Sequence, residues 1–400
     1  MIHLTKEKKI NKILFFAIPF VFLNIWLVYD ILTDNIQTAM GYYLFHFVYN
    51  YTHGYMARGL CGQILYLLFD KLSETIIDNV IIFGSELLVI AASVCIAVAL
   101  SKTSVSRNSF IATAILATIL VLSRNSFREY MTDMKFDKII WALTLFSVLL
   151  ACNKFSIWFT PITCLICAMI NPVFMFTSMI IIAIVLLQKF YDNNYSKANL
   201  IICLAAYLSM IAIVLYGTLN ETKLGFENVE EFCDYYLQRL EDYTGNPYEY
   251  ASERSMAEWF FDYFPTGNFI LKDSFNNYFI EWELWKKCLF SSVFFALPWY
   301  TVLGRFWVRV IKHTDNSFQK FIFFLCLISP VVILPAIILS WEASKYYSAN
   351  IISQLILIIY YLVSKNSAVV DAINDTFTKI KQNPVCAFVI CSYFSILTAA

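Results

Sequence analysis

The chain has 400 residues, of which 60% are hydrophobic, 18% aromatic and only 14% charged, and its formal net charge is zero. A soluble domain carries about 45–50% apolar and about 25% charged residues, so the excess is too large for a globular core and fits a membrane domain. Balanced charge with no basic stripe excludes a nucleic-acid partner.

Lipid admits only helices or closed barrels, because an unpaired backbone group there costs several kcal/mol. The apolar runs have helical length, so the fold class is all-α, a polytopic helical membrane protein. Lys6, Lys8, Lys9 and Lys12 precede the first run, Ile13–Leu32. No small-residue cleavage site follows it, and it reads as a retained helix. A long outer loop, 33–78, comes next. Its stretches Tyr42–Tyr49 and Gly59–Phe69 are apolar but short and interrupted, which suits amphipathic helices in the interface; two full crossings there would also preserve the parity of the chain. Spans of about 17–25 residues are then expected at Asn79–Leu100, Phe110–Ser123, Ile139–Cys152, Ser156–Ile170, Val173–Gln188, Leu200–Gly217, Cys288–Leu303, Phe318–Ser340, Tyr346–Val363 and Val385–Ala400. With the first run they make about 11 transmembrane helices. The chain divides into a membrane module (1–217), an outer polar domain (218–287) and C-terminal membrane helices (288–400).

Orientation follows from Lys and Arg in the short loops. The basic amino terminus and the cluster Arg305, Arg309 and Lys312 agree on one frame, with the amino terminus cytoplasmic. That frame puts 34–78, 124–138, the segment after Gly217 and Trp341–Lys345 on the outer face of a bacterial inner (plasma) membrane. The segment from Gly217 to Lys287 holds fourteen Asp or Glu residues. It is also rich in Tyr and Trp, which argues against disorder, and short helices folded over the outer face are expected. Most of the eleven cysteines lie in apolar runs as small packing residues. Cys164 and Cys167 have redox or zinc spacing but no nearby His, so packing is favoured for them too. Cys61 and Cys233 fall in polar-side segments, where a disulfide between them is one option.

Several polar sets could carry chemistry. Asp34 follows the first helix directly, as a solvated helix end or as a general base. Arg124 and Arg128 are four apart, as are Asp133 and Asp137, so helical spacing puts each pair on one face. The arginines could clamp a phosphate through planar bidentate contacts, and the carboxylates could hold a divalent cation such as Mg or Mn. A salt-bridged turn is the structural alternative. His53 and Arg58 flank a turn that runs into Gly59-Leu60-Cys61-Gly62, whose glycines permit close backbone approach to an anion. Glu342 and Lys345 sit at the outer end of a helix, paired with each other or functional. Glu86 is the one ionisable group deep within an apolar run.

Two resemblances follow from these residues. The arrangement of Asp34 at the start of a long first outer loop, with Asp133 and Asp137 in the next outer loop, resembles the GT-C superfamily of membrane glycosyltransferases. That likeness is topological and covers roughly Ile13–Gly217. It implies a polyprenyl-phosphate sugar donor, a lipid-linked or surface glycan acceptor, a carboxylate base and optional metal. Gly54-Tyr55-Met56-Ala57-Arg58-Gly59-Leu60-Cys61-Gly62 is similar to the Arg-Gly-Leu-x-Gly motif of bacterial membrane proteins associated with surface-polysaccharide synthesis. Lys135-Phe136-Asp137 and Trp341-Glu342-Ala343-Ser344-Lys345 echo their later motifs, although Ala57 replaces the first Arg of the pattern.

The expectation is therefore an enzyme of glycan assembly, with Asp34 and Asp137 catalytic. Arg58, Arg124, Arg128 and Lys345 would hold phosphate, Asp133 and Asp137 a metal, and His53 and Glu342 would stand nearby. A lipid-linked polysaccharide polymerase would use similar groups. A lipid or glycan transporter is the non-enzyme alternative, weakened by the lack of an inverted repeat and of paired broken helices in the sequence, and kept open by Glu86.

Overall fold

The structure is a computed structural model. It describes residues 47–53, 59–101, 137–151, 156–170, 174–192, 226–241, 289–334 and 343–383, with isolated positions between and beyond them. Those residues are helical. Among them the only β pairing is an isolated parallel bridge between Leu72 and Leu240.

The helices are α1 (Leu60–Leu68), α2 (Glu74–Ser101), α3 (Asp137–Leu150), α4 (Thr160–Ile170), α5 (Phe174–Thr177), α6 (Met179–Asp192), α7 (Val229–Leu237), α8 (Leu297–Lys312), α9 (Ser317–Ile328), α10 (Ala343–Val363) and α11 (Ser367–Gln382). At a rise of about 1.5 Å per residue, the nine residues of α1 span roughly 13.5 Å, far short of a bilayer core of about 30 Å. Among the described residues no single helix is both long and apolar enough to cross a membrane. One pair, Ala349–Val363 with Ser367–Thr376, passes that test together but is bent by 115°.

Hydrogen bonds fix how the helices run. Ser292 meets Tyr347, Tyr300 meets Asn350 and Trp307 meets Gln354, so α8 and α10 are parallel. Ser353 bonds the Thr177 carbonyl and Tyr361 bonds Gln188, so α5–α6 runs the same way. Gln319 bonds Gln188 and Ser329 bonds Gln354, so α9 is antiparallel to both. Ser147 meets Thr163 across α3 and α4, which form an antiparallel hairpin. Within the set α5–α6, α8, α9 and α10, and within the α3–α4 pair, the directions agree with the alternation expected from the sequence.

The helix ends and interiors differ from that expectation in instructive ways. The stretch expected as Val173–Gln188 breaks at Ser178 into α5 and α6, and α6 continues to Asp192. The run expected at Phe318–Ser340 tightens into a 3-10 segment at Ser329–Ile333, where Pro330 removes a backbone donor. A π segment, Ser291–Ala296, leads into α8, and the Leu297 amide bonds the Ser292 carbonyl. Pro298 follows directly and cannot close an α-helical bond. The stretch after Val363, expected as a basic loop, is instead α11. A Schellman turn makes the corner: Asn366 N–H bonds Tyr361 O at 2.9 Å and Lys365 N–H bonds Leu362 O at 3.1 Å. Lys365 sits at the left-handed position with φ 59°. The Asn366 side chain then accepts from Val369 N–H as the next N-cap.

The larger core joins residues 47–49, α1, α3–α7, α9 and α10, and a smaller one centres on Trp299, Leu303, Ile333, Tyr347 and Ile351. Outward faces are apolar too. On α2 the large hydrophobics described as exposed are Val80, Phe83, Leu87, Ile90 and Val94, spaced three and four apart, and α9 repeats the pattern with Phe321, Phe324, Ile328 and continues to Val331. This is one helical face in each case, flanked by half-buried Glu86 on α2 and by exposed Lys320 at the start of α9.

Candidate functional site

The best-defined junction outside the bundle joins the first outer loop to α7, which lie some 170 residues apart in sequence. The sequence starts α7 with a capping arrangement. Asn228 Oδ1 accepts from Glu231 N–H at 2.8 Å, and the Glu231 carboxylate accepts from Glu227 N–H at 2.8 Å. Glu230 and Glu231 also complement the positive helix end. The opposite face of α7 buries Phe232, Cys233 and Tyr236.

Those rings meet Tyr49, which packs edge-on to Tyr236 at 4.9 Å and tilted to Phe232 at 5.7 Å. Phe226 and Phe261 complete the cluster. Gly62 explains how Tyr49 comes so close to α1. A Cβ at Gly62 would stand 1.8 Å from the Tyr49 carbonyl oxygen. The anion expected at the Gly59-Leu60-Cys61-Gly62 turn is therefore not what the second glycine accommodates; the chain's own backbone fills that space.

Arg239 clamps the junction from the far side of α7. Its Nη2 donates to the Phe69 carbonyl at 2.9 Å and its guanidinium lies 4.4 Å from the centre of the Tyr66 ring. Leu72 N–H bonds Arg239 O, and Glu241 N–H bonds Leu72 O. Arg239 is only 8% exposed, and its Nη1 has no hydrogen-bond partner. Burial lowers its pKa, while Tyr66, Tyr235 and Asp70 nearby favour the charged form. Burial, and then the neighbouring Tyr235, push the Tyr236 phenol up. Cys61 and Cys233 both lie at this junction, yet neither is disulfide-bonded, which removes the disulfide option. Burial pushes the Cys61 thiol up to about 12.

Of the candidate site residues, His53 is the one whose side chain is described. It is exposed, and its ring packs edge-on to Tyr235 at 4.5 Å and against Phe226 at 4.7 Å. It belongs to the rim of the aromatic cluster. Asp137 opens α3 and Lys345 is the third residue of α10. α3 and α10 pack against each other. Asp34, Arg58, Arg124, Arg128, Asp133 and Glu342 lie outside the described residues. Among the described residues no three His, Cys, Asp or Glu side chains gather as a metal site. Glu86 is half-buried on α2, and Cys164 and Cys167 are buried packing residues on α4.

Two features were not expected. Arg239 gave only a weak sign in sequence, as one of six cations in an acidic segment, whereas Asn228-x-x-Glu231 was a readable helix start. The second feature corrects the expectation that broken helices are lacking. The break at Ser178 and the 3-10 segment at Ser329–Ile333 pack against each other. Adjacent residues of α10 serve both, with Ser353 donating to the Thr177 carbonyl at 2.8 Å and Gln354 to Ser329 Oγ.

No family model matches the chain, and no curated protein or solved structure matches it either.

Proposed function

We propose that the chain is a membrane-embedded glycosyltransferase of the bacterial inner membrane. It takes a sugar from a polyprenyl-phosphate donor and adds it to a lipid-linked or surface glycan. The observation that carries the reading is the packing of the first outer loop, which bears His53, against α7 and Arg239, some 170 residues away in sequence, which gathers two segments expected on the outer face. The membrane part is supported by the exposed apolar stripes of α2 and α9, whose exposure costs little in lipid and much in water. The first loop and α7, both expected outside, pack together, which supports their lying on one side.

In this scheme Asp34 removes the acceptor hydroxyl proton as general base. Arg58, Arg124, Arg128 and Lys345 neutralise the leaving phosphate, where charge develops in the transition state. Asp137, with Asp133, holds Mg or Mn or acts as a second carboxylate. The aromatic junction around Tyr49 and Tyr236 braces the loop that bears His53 and Arg58. A polysaccharide polymerase would use the same groups, with arginine more important than acid.

A carrier is the second reading, favoured by one observation: the interrupted helices that meet at Thr177–Ser178 and Ser329–Ile333. Interrupted helices at membrane depth mark substrate sites in carriers.

The test is transfer of radiolabelled sugar from polyprenyl phosphate in membranes containing the wild-type chain or single variants. Asp34→Asn and Asp137→Asn are expected to lose about 10²–10⁴-fold in rate with protein level intact, and chelation of divalent metal tests the cofactor. If both variants retain full activity while Glu86→Gln abolishes function, the carrier reading replaces the enzyme.

A further inference from the structure

A cavity of about 300 Å³ lies between α8, the 3-10 segment and α10, beside the smaller core. Its walls include Leu303, Gly304, Trp307, Pro330, Val331 and Leu334. The 3-10 turn Ser329–Ile333 forms one flank of it, and the opposite flank is the part of α8 that follows the π segment. Irregular backbone at such a place is tolerated where it lines a cavity.

The polar side chains that line this cavity are already engaged within the protein. Trp307 Nε1 donates to Gln354 Oε1 at 2.8 Å, and Gln354 Nε2 donates to Ser329 Oγ. The Tyr300 hydroxyl donates to Asn350 Oδ1 at 3.1 Å, and that of Tyr347 bonds Ser292. No charged side chain lines the space. A sugar or phosphate placed there would leave its own polar groups unpaired, at about 1–3 kcal/mol each. A hydrocarbon chain leaves none.

The opening is equally specific. Val331 and Leu334, both wall residues, are 60% and 47% exposed. The mouth therefore opens at the protein surface, and through Val331 it continues the apolar stripe of Phe321, Phe324 and Ile328 on α9. Whatever enters comes from the medium against which that stripe rests.

We infer that this cavity is a binding site for one acyl chain of a bilayer phospholipid. The inference rests on the membrane reading above but not on the transfer reaction. The chain lies between α8 and the 3-10 segment, against Gly304, where a side chain would otherwise stand.

The probe is phosphatidylethanolamine carrying a diazirine midway along one acyl chain, reconstituted with the full-length protein in vesicles and irradiated, with adducts mapped by peptide mass. Adducts are expected to concentrate on Leu303–Trp307 and on Leu327–Leu334, and to be sparse on Val80–Val94. Gly304→Leu fills the cavity and Val331→Trp closes its mouth, and each should lower that labelling roughly tenfold. Val331→Trp changes an exposed residue and so guards against a misfolded Gly304→Leu. Adducts as dense on Val80–Val94 as on the cavity wall would overturn the inference, as would a polyprenyl phosphate probe that labels the wall and displaces the phospholipid. Flotation of the protein with the vesicles reports the membrane reading independently.

Discussion

Replacing Gly62 by alanine tests whether the contact between Tyr49 and α1 is as close as the structure has it. The added Cβ would lie 1.8 Å from Tyr49 O, 2.7 Å from its C and 2.9 Å from its N. Restoring an ordinary 3.4 Å separation from the oxygen requires about 1.6 Å of backbone movement (3.4 − 1.8). No rotamer change relieves it, because every atom involved is main chain. Tyr49 is fully buried, so its displacement also loosens the rings it packs on. Overpacking costs about 1–3 kcal/mol and each edge-on ring pair about 0.5–1.5, which together suggest about 3–5 kcal/mol. At about 2.1 cal/mol/K per residue, a 400-residue chain has an unfolding entropy near 0.84 kcal/mol/K, so Tm should fall by about 4–6 °C. Thermal unfolding of purified Gly62→Ala, with Gly84→Ala as control, measures this. Gly84 sits inside α2, where an added Cβ would meet nothing within 4 Å, so alanine there should stabilise by about 0.5–1 kcal/mol. Equal melting of the two variants would refute the close approach.

Other expectations are measured in the same way. Arg239→Ala removes the Phe69 bond and the Tyr66 contact, and should destabilise by about 2–4 kcal/mol while speeding proteolysis around residues 69–73. Lys365→Gly relieves the left-handed residue at the α10–α11 corner and should be neutral or stabilising by up to about 1 kcal/mol, read from Tm. Cys61, raised from 9.0 to about 12, holds about a thousandfold less thiolate near neutral pH than an ordinary thiol, so maleimide should modify exposed Cys386 long before Cys61. The same shift gives a stability dependence. The folded thiol keeps its proton between pH 9 and about 12 while the unfolded one loses it, so this contribution is present below pH 9 and is lost as pH rises through that window.

The helical class, and the alternation of direction among α5–α6, α8, α9 and α10, were legible because apolar runs and their lengths are local properties. Ile139–Cys152 and Tyr346–Val363 differ from α3 and α10 by only a few residues at each end. The breaks were harder to read. Pro330 and Pro298 were visible, but whether a proline bends, tightens or merely begins a helix depends on neighbours such as Ser353 and Gln354, which arrive from elsewhere in the chain. Helix α11 was missed because its mean character is polar and its apolar side, Ala368, Val369 and Ala372, is small. Its start at Asn366 was legible as a cap. At the candidate site, Gly62 was singled out for the right property, close backbone approach, and assigned the wrong neighbour. Arg239 was illegible because only the fold brings Phe69 and Tyr66 to it.

The junction also sets an order of events during synthesis. Arg239 follows Phe69 by 170 residues, and at about 5–20 residues per second the ribosome needs roughly 10–30 seconds to supply it. For that interval Tyr49 and the inward side of α1 have neither Phe232 nor Tyr236 to rest on. A nascent chain paused before residue 226 therefore carries an unclosed aromatic surface, which folding helpers or proteases meet before the finished protein does.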